Sequence, residues 1–557
     1  MTTHIGIIGG GLSGTATLTH LVGELTRQQK RDVTITMFDP APIGPGIVYG
    51  ADLPDSILLN HPNKLMGSVS HLVTDDKRDD FFKWMQQNSA RLKASCPSLQ
   101  PDNPEGFSPR RIYGEYLMER YAQAKEYAKA HGITVLEVHK PVTAVQKQGQ
   151  FWEIKAGDGP AKPYQQVVVC SGHWYRGLPK EWQQTGRAFL AYPLGNYIKG
   201  SEGKAGGTLL IRGTGLTAVD ATIAAIESGR YAHVIMASRR GQLHALQGPK
   251  NPNYEPKFLT IDRLESEFPN GQHYPLKRVI ELLRMEIEDA YKQAGKPAPN
   301  WNDIVHPKDM HAWLKAQVEQ IDRGEEFLWR SVIDKVDLNR QKIYARLSPQ
   351  DQEIFQDEYR NLYISYRAST PPPNGRKLLH YMEEGKLTIT GGMINLSYDE
   401  ASGKFVTEIA KYPDGTPYNG PEHAPLPKDV KVEKLQADVL VDAIGQTRSV
   451  KASPLLNAML KEGIAKEHAQ GGLQLDAHMG ILDRHGQPQP GIYAIGNLSD
   501  GQHINHSSSL NLTDNTRRLA THMVAELAKL PATPQKPLIC DQTQCHSPQV
   551  CVENGVC

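Results

Sequence analysis

His4-Ile5-Gly6-Ile7-Ile8-Gly9-Gly10-Gly11-Leu12-Ser13-Gly14 stands at the start of the chain. It combines a short apolar run, a glycine turn and the beginning of a helix that continues towards Leu25. Val33 to Phe38 reads as the next strand and ends on Asp39, which completes a βαβ start. The spacing Gly9-x-Gly11-x-x-Gly14 has a physical logic. The first glycine permits a tight turn, the second lets a pyrophosphate approach the backbone, and the third lets helix and strand pack closely. The amides of Leu12 and Ser13 lie at the positive end of the helix dipole, where an anion is stabilised. A carboxylate at Asp39 can accept hydrogen bonds from both hydroxyls of an adenosine ribose. The expectation is a dinucleotide site, against the plainer reading of a structural glycine turn.

The same pattern returns within the chain. Thr208 to Arg212 is apolar, Gly213-x-Gly215-x-x-Ala218 opens a helix, and Val234 to Ala237 would be the following strand. That strand ends on Ser238-Arg239-Arg240-Gly241 instead of an acid. Guanidinium groups at this position can grip a 2′-phosphate, which favours NADPH over NADH. The alternative is a solvated basic turn.

A length of 557 residues predicts two or three domains. Lys plus Arg (62) nearly cancels Asp plus Glu (61), which gives no reason to expect nucleic acid or a membrane surface as a partner. Neither a secretory leader nor a spanning apolar segment is evident, so a cytoplasmic protein acting on a small molecule is expected, with oligomeric state left open. The fold class expected is α/β with two Rossmann-like dinucleotide-binding domains. The first is discontinuous, over 1–200 and 381–530. The second covers 201–380 and carries a polar, proline-interrupted helical insertion at about 251–330. A linker and a Cys-rich tail occupy 531–557.

Two glycine motifs with intervening and closing strands resemble the two-dinucleotide flavoprotein superfamily, over most of residues 1 to 525. That superfamily includes flavin-containing monooxygenases, amine N-hydroxylases and pyridine-nucleotide disulfide reductases. The resemblance implies FAD at the first motif and NADPH or NADH at the second. Val167 to His173 and Val441 to Gly445 look like the crossovers between the domains. Gly491 to Asn497 looks like the last FAD motif, with Gly496 kept and Asn497 in place of the usual acid. A closer resemblance is to the bacterial family of FAD-NAD(P)-binding proteins, through Gly44-x-Gly46-x-x-Tyr49-Gly50, Leu58 to Met66 and Pro109-Arg110-x-x-Tyr113-Gly114-x-Tyr116-Leu117. It implies that Asn60 to Met66 pass near the flavin. Arg110 would hold a phosphate or an anionic substrate, or be a satisfied structural arginine.

Disulfide reductases of this superfamily need a cysteine pair beside the flavin. Cys96 and Cys170 stand singly, which argues against that chemistry. Hydroxylating members need no protein nucleophile, since the cofactor activates oxygen and the pocket positions substrate. Hydroxylation of a small organic substrate is therefore the favoured reaction. The Phe-x-Gly-x-x-x-His signature of some monooxygenases is nevertheless absent at Phe189 to Leu194. His503 and His506, with Asn505 between them, are candidate proton donors near the flavin, against the plainer reading of core or exposed histidines. In the tail, Cys540, Cys545, Cys551 and Cys557 fit three readings: a Zn²⁺ site with unusually long spacing, a mobile dithiol, or an inert appendage. Two alternatives follow for the whole chain. One is an NAD(P)H-dependent reductase passing electrons to the tail thiols or a partner protein, and the other is a non-catalytic FAD-binding redox sensor.

Overall fold

The computed structural model describes residues 2–67, 79–172, 176–199, 206–305, 307–420, 425–447, 449–501, 509–527 and 529. Its strands are, in chain order, β1 (Thr3–Ile8), β2 (Val33–Phe38), β3 (Ile133–Val138), β4 (Val142–Gln148), β5 (Phe151–Ala156), β6 (Lys162–Tyr164), β7 (Gln166–Val169), β8 (Ala188–Leu190) and β9 (Gly207–Arg212). They continue with β10 (Tyr231–Ala237), β11 (Leu387–Thr390), β12 (Met393–Asp399), β13 (Lys404–Lys411), β14 (Lys431–Ala437), β15 (Val439–Asp442), β16 (Gly480–Leu482) and β17 (Pro488–Ala494).

Two sheets carry the architecture. The first has the order β16-β17-β7-β1-β2-β3, so its strands come from both ends of the chain. All its pairings are parallel except β16 with β17. The second, β11-β10-β9-β15-β8, is parallel throughout. Parallel strands are covered on both faces, which is why β7 is buried along its whole length. Two three-stranded antiparallel sheets, β4-β5-β6 and β12-β13-β14, are appended. The Leu12–Arg27 helix places Leu18, Leu21, Val22 and Leu25 on one face, all fully buried. Burial of each such side chain contributes about 1.5–3 kcal/mol. The Ser509–Leu527 helix packs beside it, with Leu519, Met523 and Val524 in the same core. The chain's last described helix therefore closes the domain that its first residues begin.

Between β10 and β11 the chain is helical from Ile261–Glu267 onwards. The helices run past the 251–330 range expected from the sequence, through Leu328–Val336 and Arg360–Arg367 to Pro372–Glu383. Packing explains the extension: Val332, Val336, Ile343, Tyr344 and Leu347 share one core with Leu264, Leu282 and Ile287. The buried Glu286 carboxylate ties this insertion together. It accepts backbone N–H groups from Lys257 (2.9 Å), Phe258 (2.7 Å) and Leu259 (2.9 Å) as well as the Tyr254 hydroxyl. Among the described residues no helix is long and apolar enough to cross a membrane.

Strand register aligns the chemistry. Ile8 pairs with Phe38 and Val169, and Ala494 pairs with Val169, so four strands of the first sheet end together. The turn after β1 is closed by Gly9 N–H donating to Phe38 (2.8 Å), while Gly9 has φ +103°. A Cβ there would lie 2.5 Å from the Cys170 carbonyl oxygen. Gly9→Ala combines left-handed strain with this contact, and it is expected to destabilise the protein by at least about 2 kcal/mol, read as a fall in the urea midpoint.

Candidate dinucleotide sites

At the carboxyl ends of β1, β2, β7 and β17 the structure gathers the residues of the first motif. Gly11 caps the Leu12–Arg27 helix, and a Cβ on Gly14 would run into the Gly9 carbonyl, so the third glycine serves close helix–strand packing. Gly11 differs. The nearest atom to a Cβ placed there is the Gly46 Cα at 3.6 Å, and Gly44 N–H donates to the Gly10 carbonyl (2.8 Å). Two glycine loops thus face each other across a space that a side chain would fill. At the rim of the turn the Ser171 hydroxyl oxygen is buried without a hydrogen-bond partner among the described residues. Buried polar atoms are ordinarily satisfied, so an open cradle and an orphaned hydroxyl fit a phosphate ligand.

Asp39 follows β2 directly. Its Oδ2 accepts from Gly10 N–H (2.7 Å) and its Oδ1 from Ala41 N–H (2.8 Å), and each oxygen retains acceptor capacity. Beyond β17, a Cβ on Gly496 would lie 2.7 Å from the Ser13 hydroxyl, and Asn497 Nδ2 donates to Gln446 Oε1 (2.6 Å). Gly9, Gly11, Leu12, Ser13, Gly14, Asp39, Gly496 and Asn497 therefore converge on one sheet edge.

The second motif repeats the geometry. Gly213 has φ +128°, and a Cβ there would lie 2.7 Å from the Ala443 carbonyl oxygen. Gly215 caps the Leu216–Glu227 helix. Arg239 is exposed, whereas Arg240 is half-buried and donates from Nη2 to the Glu358 carbonyl (3.0 Å), leaving most of its donors available. His244 belongs to no motif legible in the sequence. Its Nε2 stands 3.5 Å from the Cβ position of Gly215, and Nδ1 lies 2.6 Å from the Ala368 carbonyl, which fixes Nδ1 as the protonated nitrogen. Burial lowers the His244 pKa below the ordinary imidazole value against the pull of that carbonyl.

Arg110 takes the structural role. Its Nη2 lies 2.8 Å from Asp220 Oδ2, Nη1 donates to the Tyr192 hydroxyl (2.5 Å) and Nε to the Leu58 carbonyl (3.0 Å). Tyr192 in turn donates to Asp220 (2.9 Å). Burial works against the charge on Arg110, but Asp220 and the neighbouring tyrosines hold its pKa above the ordinary guanidinium value. Asn60 also bridges the two units, its carbonyl accepting from Gln247 Nε2, which donates to the Ser369 carbonyl as well (3.0 Å). An acid within the apolar run Leu216 to Ile223 was the available signal for a buried partner.

Neither cysteine of the described core is positioned for redox work. Cys96 and Cys170 are free and buried, and burial pushes the Cys170 thiol up to about 12, only partly offset by Thr17. His503, His506, Cys540, Cys545, Cys551 and Cys557 lie outside the described residues. Among the described residues no group of His, Cys, Asp and Glu side chains is arranged to hold a metal ion.

Comparison with solved structures gives the ornithine N-hydroxylase of Kutzneria sp. 744, with a TM-score of 0.52 at 12% identity over 95% of this chain and 100% of that one. The chain has the two-dinucleotide flavoprotein fold. Ornithine hydroxylase (PvdA) from Pseudomonas aeruginosa is similar to the same extent, with a TM-score of 0.51, 12% identity and the same coverage. Residues 6–174 match the family described as FAD-NAD(P)-binding. A curated relative, Uncharacterized protein YdhS of Escherichia coli K12, is 22% identical over 430 residues, covering 69% of this chain and 76% of its own length. Within this flavoprotein fold the Arg110–Asp220 pair joins the two nucleotide units. Asp220→Ala leaves the buried guanidinium uncompensated and is expected to cost about 3–5 kcal/mol in urea unfolding, with part recovered when Arg110→Met is added.

Proposed function

We propose that the chain is an FAD-dependent oxidoreductase that oxidises NADPH, with hydroxylation of a small organic substrate as its reaction. The observation that carries this reading is the pair of glycine turns, each at the carboxyl edge of its own parallel sheet and tied to the other through Arg110, Asp220 and Tyr192. Ligands in such sheets bind where the strand order reverses, beside the turn that follows the first strand. The Kutzneria protein of the same fold was solved with reduced FAD, NADP⁺ and L-ornithine, which agrees with this assignment.

Bound FAD would supply hydride acceptance from the nicotinamide and the activation of oxygen. The chain's own contribution is binding and orientation. Amides of Leu12 and Ser13 at the helix start would hold the FAD pyrophosphate over Gly11, Asp39 would accept the ribose hydroxyls, and Asn497 would donate to a flavin-side oxygen. The turn of Gly213 and Gly215 would take the second pyrophosphate, and Arg239 with Arg240 would hold the adenosine 2′-phosphate. With the Cys170 thiol held neutral and Cys96 also free and buried, nothing in the described core competes as a dithiol electron acceptor. That separates this reading from a conventional disulfide reductase.

The purified protein is expected to be yellow. Gly11→Ala should fold with a nearly unchanged urea midpoint, because its methyl group meets only Gly46 at ordinary contact distance, yet lose flavin. Flavin retained by that variant would contradict the N-terminal assignment. Changing both Arg239 and Arg240 to Ala should reduce the preference for NADPH over NADH in flavin reduction by about tenfold to a hundredfold. The loss should fall on NADPH alone and shrink at high salt. Equal losses with both coenzymes would make the arginines structural.

A further inference from the structure

The two glycine turns differ in what stands over their second glycine. Over Gly11 it is the backbone of Gly46, whereas over Gly215 it is an imidazole. Apart from the chain neighbours of Gly215, Nε2 of His244 is the one described atom within 4 Å of a Cβ placed there. His244 belongs to the segment after β10, and that segment is fixed from two sides. The Thr214 hydroxyl of the glycine turn donates to the Gln242 carbonyl (2.8 Å), the Thr370 hydroxyl to the His244 carbonyl (3.1 Å), and Ala245 N–H to the Ser365 carbonyl (2.8 Å). The ring is fixed as well, because Nδ1 donates to the Ala368 carbonyl (2.6 Å) and the other nitrogen is thereby held on the Gly215 side.

With Nδ1 carrying the proton of the neutral ring, Nε2 presents a lone pair. A lone pair repels a phosphate oxygen, while a proton in its place donates to that oxygen with charge assistance. The second glycine of such a turn is where a pyrophosphate comes closest to the backbone. The Leu216–Glu227 helix has no acidic residue in its first turn, so an anion there meets no negative charge. Burial holds the His244 pKa below the ordinary imidazole value, with the Ala368 carbonyl pulling the other way. The charged groups on the surrounding elements are Arg239 and Arg240 after β10, Asp220 on the helix, Lys250 on the same segment, Arg367 next to Ala368, and Arg330 bonded to Ser369. None of them is among the causes of that shift.

We propose that His244 binds the pyrophosphate of the nicotinamide coenzyme over Gly215, donating from Nε2 and taking up one proton from solvent as the coenzyme enters. The inference rests on the preceding reading in placing that coenzyme at the second glycine turn. The bond from Nδ1 to Ala368 is kept, so the ring need not turn. A phosphate in contact raises the imidazole pKa from its depressed value. Affinity is then lowest above the pKa of the complex, rises as pH falls towards the pKa of the free protein, and is constant below it. The pyrophosphate is common to NADH and NADPH, so His244 acts on both, in contrast to Arg239 and Arg240.

Isothermal titration of the flavin-loaded full-length protein with NAD⁺ and with NADP⁺ tests this, in buffers of different ionisation heat between about pH 8 and about pH 6. Wild type is expected to take up protons with either coenzyme and to bind both more tightly at the lower pH. His244→Ala should weaken both coenzymes about tenfold at the lower pH and less at the upper. His244→Gln keeps a donor near the Nε2 position without titrating, so it should retain most of the affinity and lose the proton uptake. This variant decides the matter should His244→Ala fail to fold. The 2′-phosphate of NADP⁺ itself titrates near about pH 6, but equally in wild type and variants, so their difference belongs to the imidazole. Proton uptake retained in His244→Gln, affinity unchanged in His244→Ala, or tighter binding by His244→Ala would overturn the proposal, the last by making the ring an obstruction. Each of these leaves the oxidoreductase reading standing. Wild type that binds neither coenzyme, or whose flavin NADPH does not reduce, would refute that reading and the proposal with it.

Discussion

The buried contact between Arg110 and Asp220 is the constraint on which the arrangement of the molecule depends. One residue begins the Arg110–Ala130 helix of the first nucleotide unit, and the other sits in the helix that follows Gly215 in the second. Both charges are out of water, so each is tolerable only while the other stays in place. Tyr192, from the segment crossing between the units, hydrogen-bonds to both and completes a closed set. The two sheet edges that carry the glycine turns are thereby held in a fixed relation, as transfer between two bound dinucleotides would require.

Around that fixed relation the residues divide by task. Gly9 and Gly14 are required by the protein itself, since a Cβ at either would collide with backbone. Gly11 is required by nothing in the described chain, and the space over it is what a ligand would use. The same contrast separates Gly213, pressed against the Ala443 carbonyl, from Gly215, which faces the His244 ring. The helical insertion, tied together at Glu286, reaches the same junction through the Ser369 carbonyl, which accepts from Gln247.

The fold was legible in the sequence because its signals are local. An apolar strand, a glycine turn and an amphipathic helix occupy consecutive residues, and their recurrence at Gly213 marks the second sheet. The site was legible only in the parts that belong to those motifs. Arg110 could be named but not assigned, because its partner lies in a helix far along the chain and Tyr192 lies in a segment without any pattern. His244 and Gln247 escaped notice for the same reason: their meaning comes from Gly215 and Asn60, which approach them only in the folded chain. The insertion appeared shorter than it is, since its later helices are held by packing against the earlier ones more than by their own periodicity.

In the proposed reaction two bound dinucleotides exchange a hydride across this junction. Anaerobic stopped-flow mixing of the flavin-loaded protein with NADPH tests this. Full bleaching of the oxidised flavin band in one turnover, followed by its recovery when oxygen is admitted, is the predicted result. A flavin that stays oxidised with NADPH and with NADH alike would contradict it.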